Sequence, residues 1–94
     1  MIRSFKDAYA KVIFERRNRG KGIPADLVKA ARRKLIMLDS AQVLNDLRAV
    51  PSNHLEALKG VRAGPHSIRI NDQYRLCFVW TGSDAETVEI TDYH

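Results

Sequence analysis

One cysteine in 94 residues excludes an internal disulfide framework. Cys77 lies in an apolar run with Leu76, Phe78 and Val79, so the expected state is a buried, inert thiol; a reactive thiolate needs an electropositive, accessible site. No apolar run approaches a membrane span, and Arg3, Lys6 and Asp7 break up the N-terminus where a secretory signal would need an unbroken apolar stretch. The expected location is the cytoplasm, with no membrane partner. No internal repeat and no low-complexity segment is present. The paired histidines with a carboxylate, or the cysteine cluster, that a metal site would use are also missing. Acidic residues are scarce where basic ones are dense. Residues 1–34 hold eleven Lys and Arg against Asp7, Glu15 and Asp26, a net +8, whereas residues 84–94 hold four acids and no Lys or Arg. With +5 for the whole chain, this imbalance favours a polyanionic partner: nucleic acid first, an acidic protein second.

The length fits one domain, residues 1–94, able to bury about two-thirds of the surface its unfolded form exposes. A hydrophobic fraction of 45% beside 29% charged residues belongs to an ordinary globular protein. Ile2–Phe5 reads as a short strand, after which Ser4 can cap a helix with Asp7 as the capping-box acid. Phe5, Tyr9, Val12 and Ile13 recur at helical spacing, predicting a first helix that ends near Arg17. The segment 18–22 reads as a basic loop. Pro24 suits the first position of a second helix, with Leu27, Ala31, Leu35 and Leu38 as its apolar stripe. Lys29, Arg32 and Arg33 fall on the other side. Together with Lys34 they are either a contact for phosphate or an acidic protein, or a solvated helix face. Ser40 can cap a third, shorter helix carrying Val43, Leu44 and Leu47, which Pro51-Ser-Asn53 stops. Strands follow at 66–70, 74–80 and 87–93, joined by Asn71–Gln73 and by a turn at Gly82–Asp84. Helices first and an antiparallel meander last define an α+β chain.

Strand parity carries the functional argument, because successive residues point to opposite faces. A three-residue loop at Asn71–Gln73 pairs Ile70 with Tyr74 and Arg69 with Arg75. All the large apolar residues then lie on one side, as burial demands, and two arginines lie side by side on the other. Like charges directly opposite are destabilising, so this pair calls for a counter-charge: a local acid or a bound phosphate, or else neutralisation by Glu89 or Asp92 from the next strand. In the last strand Val88 and Ile90 define the core side. Glu89, Thr91 and Tyr93 then point away from it, Asp92 falls nominally on it, and His94 lies beyond the ladder. Asp, Tyr and His beside arginines suit phosphodiester chemistry. His66, opening a strand beside Ile68, reads as structural.

Leu55-Glu-Ala-Leu-Lys-Gly60, Arg62-Ala-Gly64, Ser67-Ile-Arg-Ile-Asn-Asp-Gln-Tyr-Arg-Leu76 and Val88-Glu-Ile-Thr-Asp-Tyr-His94 together resemble HigB-type toxins of bacterial toxin–antitoxin modules. These belong to the RelE superfamily and are also described as plasmid-maintenance killer proteins. The resemblance extends to Met1-Ile-Arg-Ser-Phe5 and Ala31-Arg-Arg-Lys-Leu35, and so covers nearly the whole chain. It implies a compact microbial-RNase-type fold, with an N-terminal strand and helices packed on a C-terminal antiparallel sheet. It implies a ribosome-dependent endoribonuclease that cleaves translated mRNA without metal or cofactor. The implied partners are a HigA-type helix-turn-helix antitoxin, the translating ribosome with its mRNA, and operator DNA only through the antitoxin complex.

Carried over by position, Asp92, Tyr93 and His94 match the family's terminal catalytic motif, and Lys59 and Arg75 match the basic residues that hold the scissile phosphate. The resemblance thus points to His94 with Asp92 for proton transfer, Tyr93 for orientation and stacking, and Arg75 with Lys59 for charge. Arg69, Asn71 and Arg62 are further candidates for contact with RNA. Some members carry a catalytic histidine in the pattern His-x-Leu-Lys-Gly; that position here is Glu56, and the nearest histidine is His54. Either His54 serves in its place or other groups move the protons. The alternative to a nuclease is a basic module that binds nucleic acid or an antitoxin with little cleavage of its own. A repressor acting alone on DNA lacks a convincing recognition-helix pair.

Overall fold

In the computed structural model, which describes residues 1–15, 24–58 and 65–92, the alternation of Ser67, Arg69, Arg75 and Cys77 with Ile68, Ile70, Leu76 and Phe78 decides how the molecule is layered. Helices α1 (Ala8–Glu15), α2 (Ala25–Ser40) and α3 (Leu44–Arg48) and a 3₁₀ turn (Pro51–Asn53) precede strands β1 (Glu56–Ala57), β2 (Pro65–Arg69), β3 (Tyr74–Trp80) and β4 (Ala85–Asp92). The strands form one antiparallel sheet in the order β1-β2-β3-β4. This is the expected α+β architecture. One sheet face carries Ile68, Ile70, Leu76, Phe78, Trp80, Ala85 and Val88 against Ile13, Leu27, Leu35 and Leu38 of the helices. Each fully buried side chain of this size contributes about 1.5–3 kcal/mol. His66 lies on the same face, buried and stacked on Phe78, which is the structural role its sequence context suggested. No helix of the described residues is long and apolar enough to cross a membrane.

The N-terminal segment runs parallel to β4 but touches it at separate points. Ile2 bridges Ala85 and Phe5 bridges Val88. A continuous strand is prevented by a bulge in β4, where the register against β3 shifts between Cys77 and Val79 and Thr87 adopts φ 50°. The bulge also takes Ser4 away from capping duty, since the Thr87 N–H donates to Ser4 Oγ at 2.9 Å. Asp7 caps α1 instead, its Oδ1 accepting from the Tyr9 N–H at 2.8 Å. The end of the first helix foreseen near Arg17 and the loop at 18–22 lie outside the described residues. Ser40 does not cap α3; it is the last residue of α2. Asp46, inside α3, reaches back to the N–H groups of Gln42 and Val43 at 2.9 and 3.2 Å, and a carboxylate at that end is favoured by the helix dipole.

The basic run on α2 divides. Lys29 and Arg33 are exposed, whereas Arg32 Nε donates to the Ile13 carbonyl of α1 at 3.1 Å. Lys34 is buried, at 8% exposure, so it belongs to neither of the two readings of that run as a surface.

Candidate active site

The loop between β2 and β3 sets the register on which the site depends. Asn71 Oδ1 accepts from the Gln73 and Tyr74 N–H groups at 2.9 and 2.8 Å, an Asx-type turn in which the side chain substitutes for backbone. Arg69 and Arg75 are accordingly direct cross-strand partners, as parity required. They face away from the helices, into an open cleft of about 650 Å³ lined by His54, Leu55, Glu56, Arg69 and Arg75. A volume in that range accommodates a nucleotide-sized group.

Arg75 is held on several sides despite being only 8% exposed. Its Nε donates to Ser67 Oγ at 2.8 Å, and its Nη2 donates to the His54 carbonyl at 2.6 Å and to the Ser67 carbonyl at 3.2 Å. The Glu56 carboxylate lies 3.2 Å from Nη2. Arg69 pairs with Asp72, three residues on. The local acid that the arginine pair called for is therefore present twice, as Asp72 beside Arg69 and Glu56 beside Arg75. Glu89 instead pairs with Lys6 at 3.5 Å. The Glu56 and Asp72 side chains are 57% and 97% exposed, and ion pairs open to water in this way are worth about 0–1 kcal/mol. A phosphate dianion or phosphodiester entering the cleft competes with weakly held carboxylates, not with buried ones.

His54 has φ 43° and ψ 57°, a left-handed conformation uncommon outside glycine and costing about 1–2 kcal/mol. It follows the Pro51–Asn53 turn and lines the cleft. Asp92 is the last residue of β4 and is exposed. It pairs with Tyr74, while Thr91 pairs with Arg75. Its carboxylate accepts from Gln73 Nε2 at 3.1 Å. By this register Asp92 stands on the helix-facing side of the sheet, one residue from Arg75 but across the pleat. The structure thus gathers Arg75, Arg69 and His54, keeps Asn71 in the turn that aligns them, and leaves Asp92 at the end of β4 on the other face of the sheet. Lys59, Arg62, Tyr93 and His94 lie outside the described residues.

Below the cleft, Lys34 Nζ donates to Asn53 Oδ1 at 2.6 Å and to Ser52 Oγ at 3.3 Å. Burial holds its pKa below the usual lysine value, with further lowering from Arg33 and Arg69. On the outward face of the sheet beyond Arg75, Cys77 lines an apolar hollow with Leu58, Pro65, Val79 and Thr91. Burial pushes its thiol pKa up, which leaves it a poor nucleophile at neutral pH, as expected. Among the described residues no three His, Cys, Asp or Glu side chains group as a metal site.

Residues 3–94 match the family of RelE-like toxins of the type II toxin–antitoxin system HigB. The chain belongs to this family of HigB-like toxins. It is 44% identical over 80 residues to Toxin HigB-1 of Vibrio cholerae serotype O1, covering 85% of this chain and 84% of that one. It is 33% identical to Endoribonuclease HigB of Proteus vulgaris over 94 residues, the full length of both. An uncharacterized protein of Haemophilus influenzae is 34% identical over 84 residues, 89% of this chain and 83% of its own. Membership in a type II system implies an antitoxin as partner.

For this toxin, sequence reasoning missed four residues of the site. In the sequence Glu56 stands out only as a departure from a histidine pattern, yet it is the carboxylate facing Arg75. On residue type alone Ser67 carries no signal beyond its place in a motif. Lys34 reads as part of a basic helix run, and Asn53 as part of a helix stop. Ser67 could have been found from parity, since it lies two residues before Arg69 on the same face.

Proposed function

We propose that this HigB-like toxin is an endoribonuclease that cleaves translated mRNA on the ribosome, with residues 1–94 acting as one catalytic domain in the cytoplasm. The observation that carries the proposal is the Arg75 guanidinium, fixed by Ser67 and His54 at the floor of an open cleft with Arg69 directly across from it. Preorganised donors aimed at a fixed point are what a phosphorane needs, because charge builds on its non-bridging oxygens as the 2′-oxygen attacks. The 2′-OH gives its proton to a base, the phosphorus–5′-oxygen bond breaks, and an acid protonates the departing 5′-oxygen. The products are a 2′,3′-cyclic phosphate and a 5′-hydroxyl.

In this reading Arg75, with Lys59, stabilises the phosphorane, and Arg69 and Arg62 bind flanking phosphates. His94 and His54 exchange the protons. Tyr93 orients the nucleotide, and Asp92, with its carboxylate fixed by Gln73, sets the strand end from which Tyr93 and His94 continue. Asn71 contributes through the turn, which uses its Oδ1, and its amide NH2 is a further candidate for contact with RNA. The antitoxin is proposed to be of the HigA type, with a helix-turn-helix that brings the pair to operator DNA.

One observation favours a second reading, a binding module with little cleavage: both cleft arginines already have a carboxylate beside them. Induction in cells separates the two. The nuclease reading expects growth arrest with cleavage of translated mRNA, both relieved by Arg75→Ala and by His94→Ala in chains that still fold. Growth arrest that survives both changes would favour binding without chemistry.

A further inference from the structure

We infer that Lys34 and Asn53 form a buried positioning pair that sets the Arg75 guanidinium and the His54 backbone for RNA cleavage, an inference that rests on the reading of the cleft as a nuclease site. Neither residue lines the cleft. Both are buried, Lys34 at 8% exposure and Asn53 at 0%.

A buried ammonium is costly unless it is well partnered, and an apolar residue of similar volume is often as stable or more so. Among the described residues Lys34 has no carboxylate as a hydrogen-bond partner; its contacts at 2.6 and 3.3 Å are the Asn53 amide oxygen and the Ser52 hydroxyl. Burial lowers its pKa, the sign of a charge kept under strain. Asn53 in turn donates through Nδ2 to the Leu47 carbonyl at 2.9 Å and to Met37 Sδ at 3.2 Å. One amide therefore ties the Pro51–Asn53 turn to α2 and to α3 together.

What the turn delivers is His54. The next residue after Asn53 takes the left-handed conformation, with its N–H donating to the Pro51 carbonyl at 3.2 Å. This orientation turns the His54 carbonyl onto Arg75 Nη2 at 2.6 Å. The guanidinium is then held between two supports: Ser67 from β2 and the His54 carbonyl from the turn. The first support is part of the sheet. The second depends on a strained residue whose preceding turn is pinned by Lys34 and Asn53. With the pair removed, His54 relaxes toward an ordinary conformation, its carbonyl leaves Arg75, and the guanidinium swings toward Glu56. Misplacement by about 1 Å can cost about 10²-fold in rate.

The test compares Lys34→Met, Asn53→Leu and the double variant with the wild type in a translation-coupled mRNA cleavage assay, alongside the ¹H–¹⁵N signal of the Arg75 Nε–H group. The double variant removes the ammonium together with the Asn53 amide oxygen that accepts from it, leaves the Leu47 carbonyl to the Val50 N–H at 3.4 Å, and is expected to melt near the wild type. Each variant should lose about 10- to 100-fold in kcat, with little change in KM for the ribosome–mRNA substrate. The double should be no worse than either single change, as befits residues acting as one unit. The Arg75 Nε–H signal should move in all three, and Lys34→Arg, which keeps a donor for Asn53, should recover most of the rate. Full activity with an unmoved Arg75 signal overturns the inference. A loss confined to Lys34→Met also overturns it, since that would make the role one of charge. Absence of cleavage by the wild type sinks the nuclease reading itself, whereas wild-type cleavage abolished by Arg75→Ala but untouched by Lys34→Met sinks only the positioning role.

Discussion

The outward side of α2 and the cleft on the sheet both carry positive charge, yet they hold it differently. On α2, Lys29 and Arg33 extend into solvent from a helix whose opposite side supplies Leu27, Ala31, Leu35 and Leu38 to the core. Their direction is set by rotamer freedom, and their effect is a field that reaches about a Debye length. In the cleft, Arg75 has its direction set by Ser67 and by the His54 carbonyl. A field raises encounter rate and affinity for any polyanion, but only a fixed donor discriminates a transition state from a ground state. Charge number therefore points to the helix, and charge constraint points to the sheet.

The sharpest way to break this contrast is Arg75→Lys, which conserves charge and removes the planar fork. An ammonium cannot serve Ser67 Oγ and the His54 carbonyl from the same two directions while still facing the cleft. The expected loss in kcat is about 10²- to 10³-fold, measured by cleavage of a translated reporter mRNA. A near-normal rate would show that charge alone suffices in the cleft, and the distinction between the two regions would collapse. A smaller step is Ser67→Ala. It leaves Arg75 in place but takes away the Nε acceptor and strands a buried donor, at a cost of about 1–3 kcal/mol in stability. Activity should fall less than in Arg75→Lys, since the His54 carbonyl still holds Nη2. Thermal melting read beside the cleavage rate separates the two effects.

How much of this was legible in the sequence follows the same division. Parity needs only a period of two and a burial demand, so the Arg69–Arg75 pairing and the α+β order could be read directly. Parity also set Asp92 on the core side of its strand, where the register has it beside Tyr74. What could not be read were side chains whose partners are distant in sequence. Lys34 and Asn53 are 19 residues apart, and nothing in a basic run Arg-Arg-Lys says that its last member turns inward. Glu56 reaches Arg75 only because β1 pairs with β2, and a two-residue strand leaves no periodic signal. Cap assignments failed for a related reason. Ser4 and Ser40 have the right chemistry for capping, but β4 recruits Ser4 and α2 extends through Ser40. Local propensity proposes a partner, and tertiary geometry assigns one.

The gentlest prediction concerns the helix. Lys29→Ala combined with Arg33→Ala removes two exposed charges that make no described contact with the cleft. Neither side chain supports the core, so stability should stay within about 0.5 kcal/mol of the wild type. The rate of the chemical step, measured at saturating ribosome–mRNA complex, should be unchanged. What should change is association: KM should rise a few-fold at low salt, and its dependence on ionic strength should become shallower, because exposed charges act through a field that salt screens. If kcat falls instead, the outward side of α2 takes part in the reacting complex, and the separation of steering charge from positioned charge would have to be drawn elsewhere on the molecule. If neither parameter moves at any salt concentration, the two residues are simply a solvated helix face, and the polyanion is drawn in by the cleft alone.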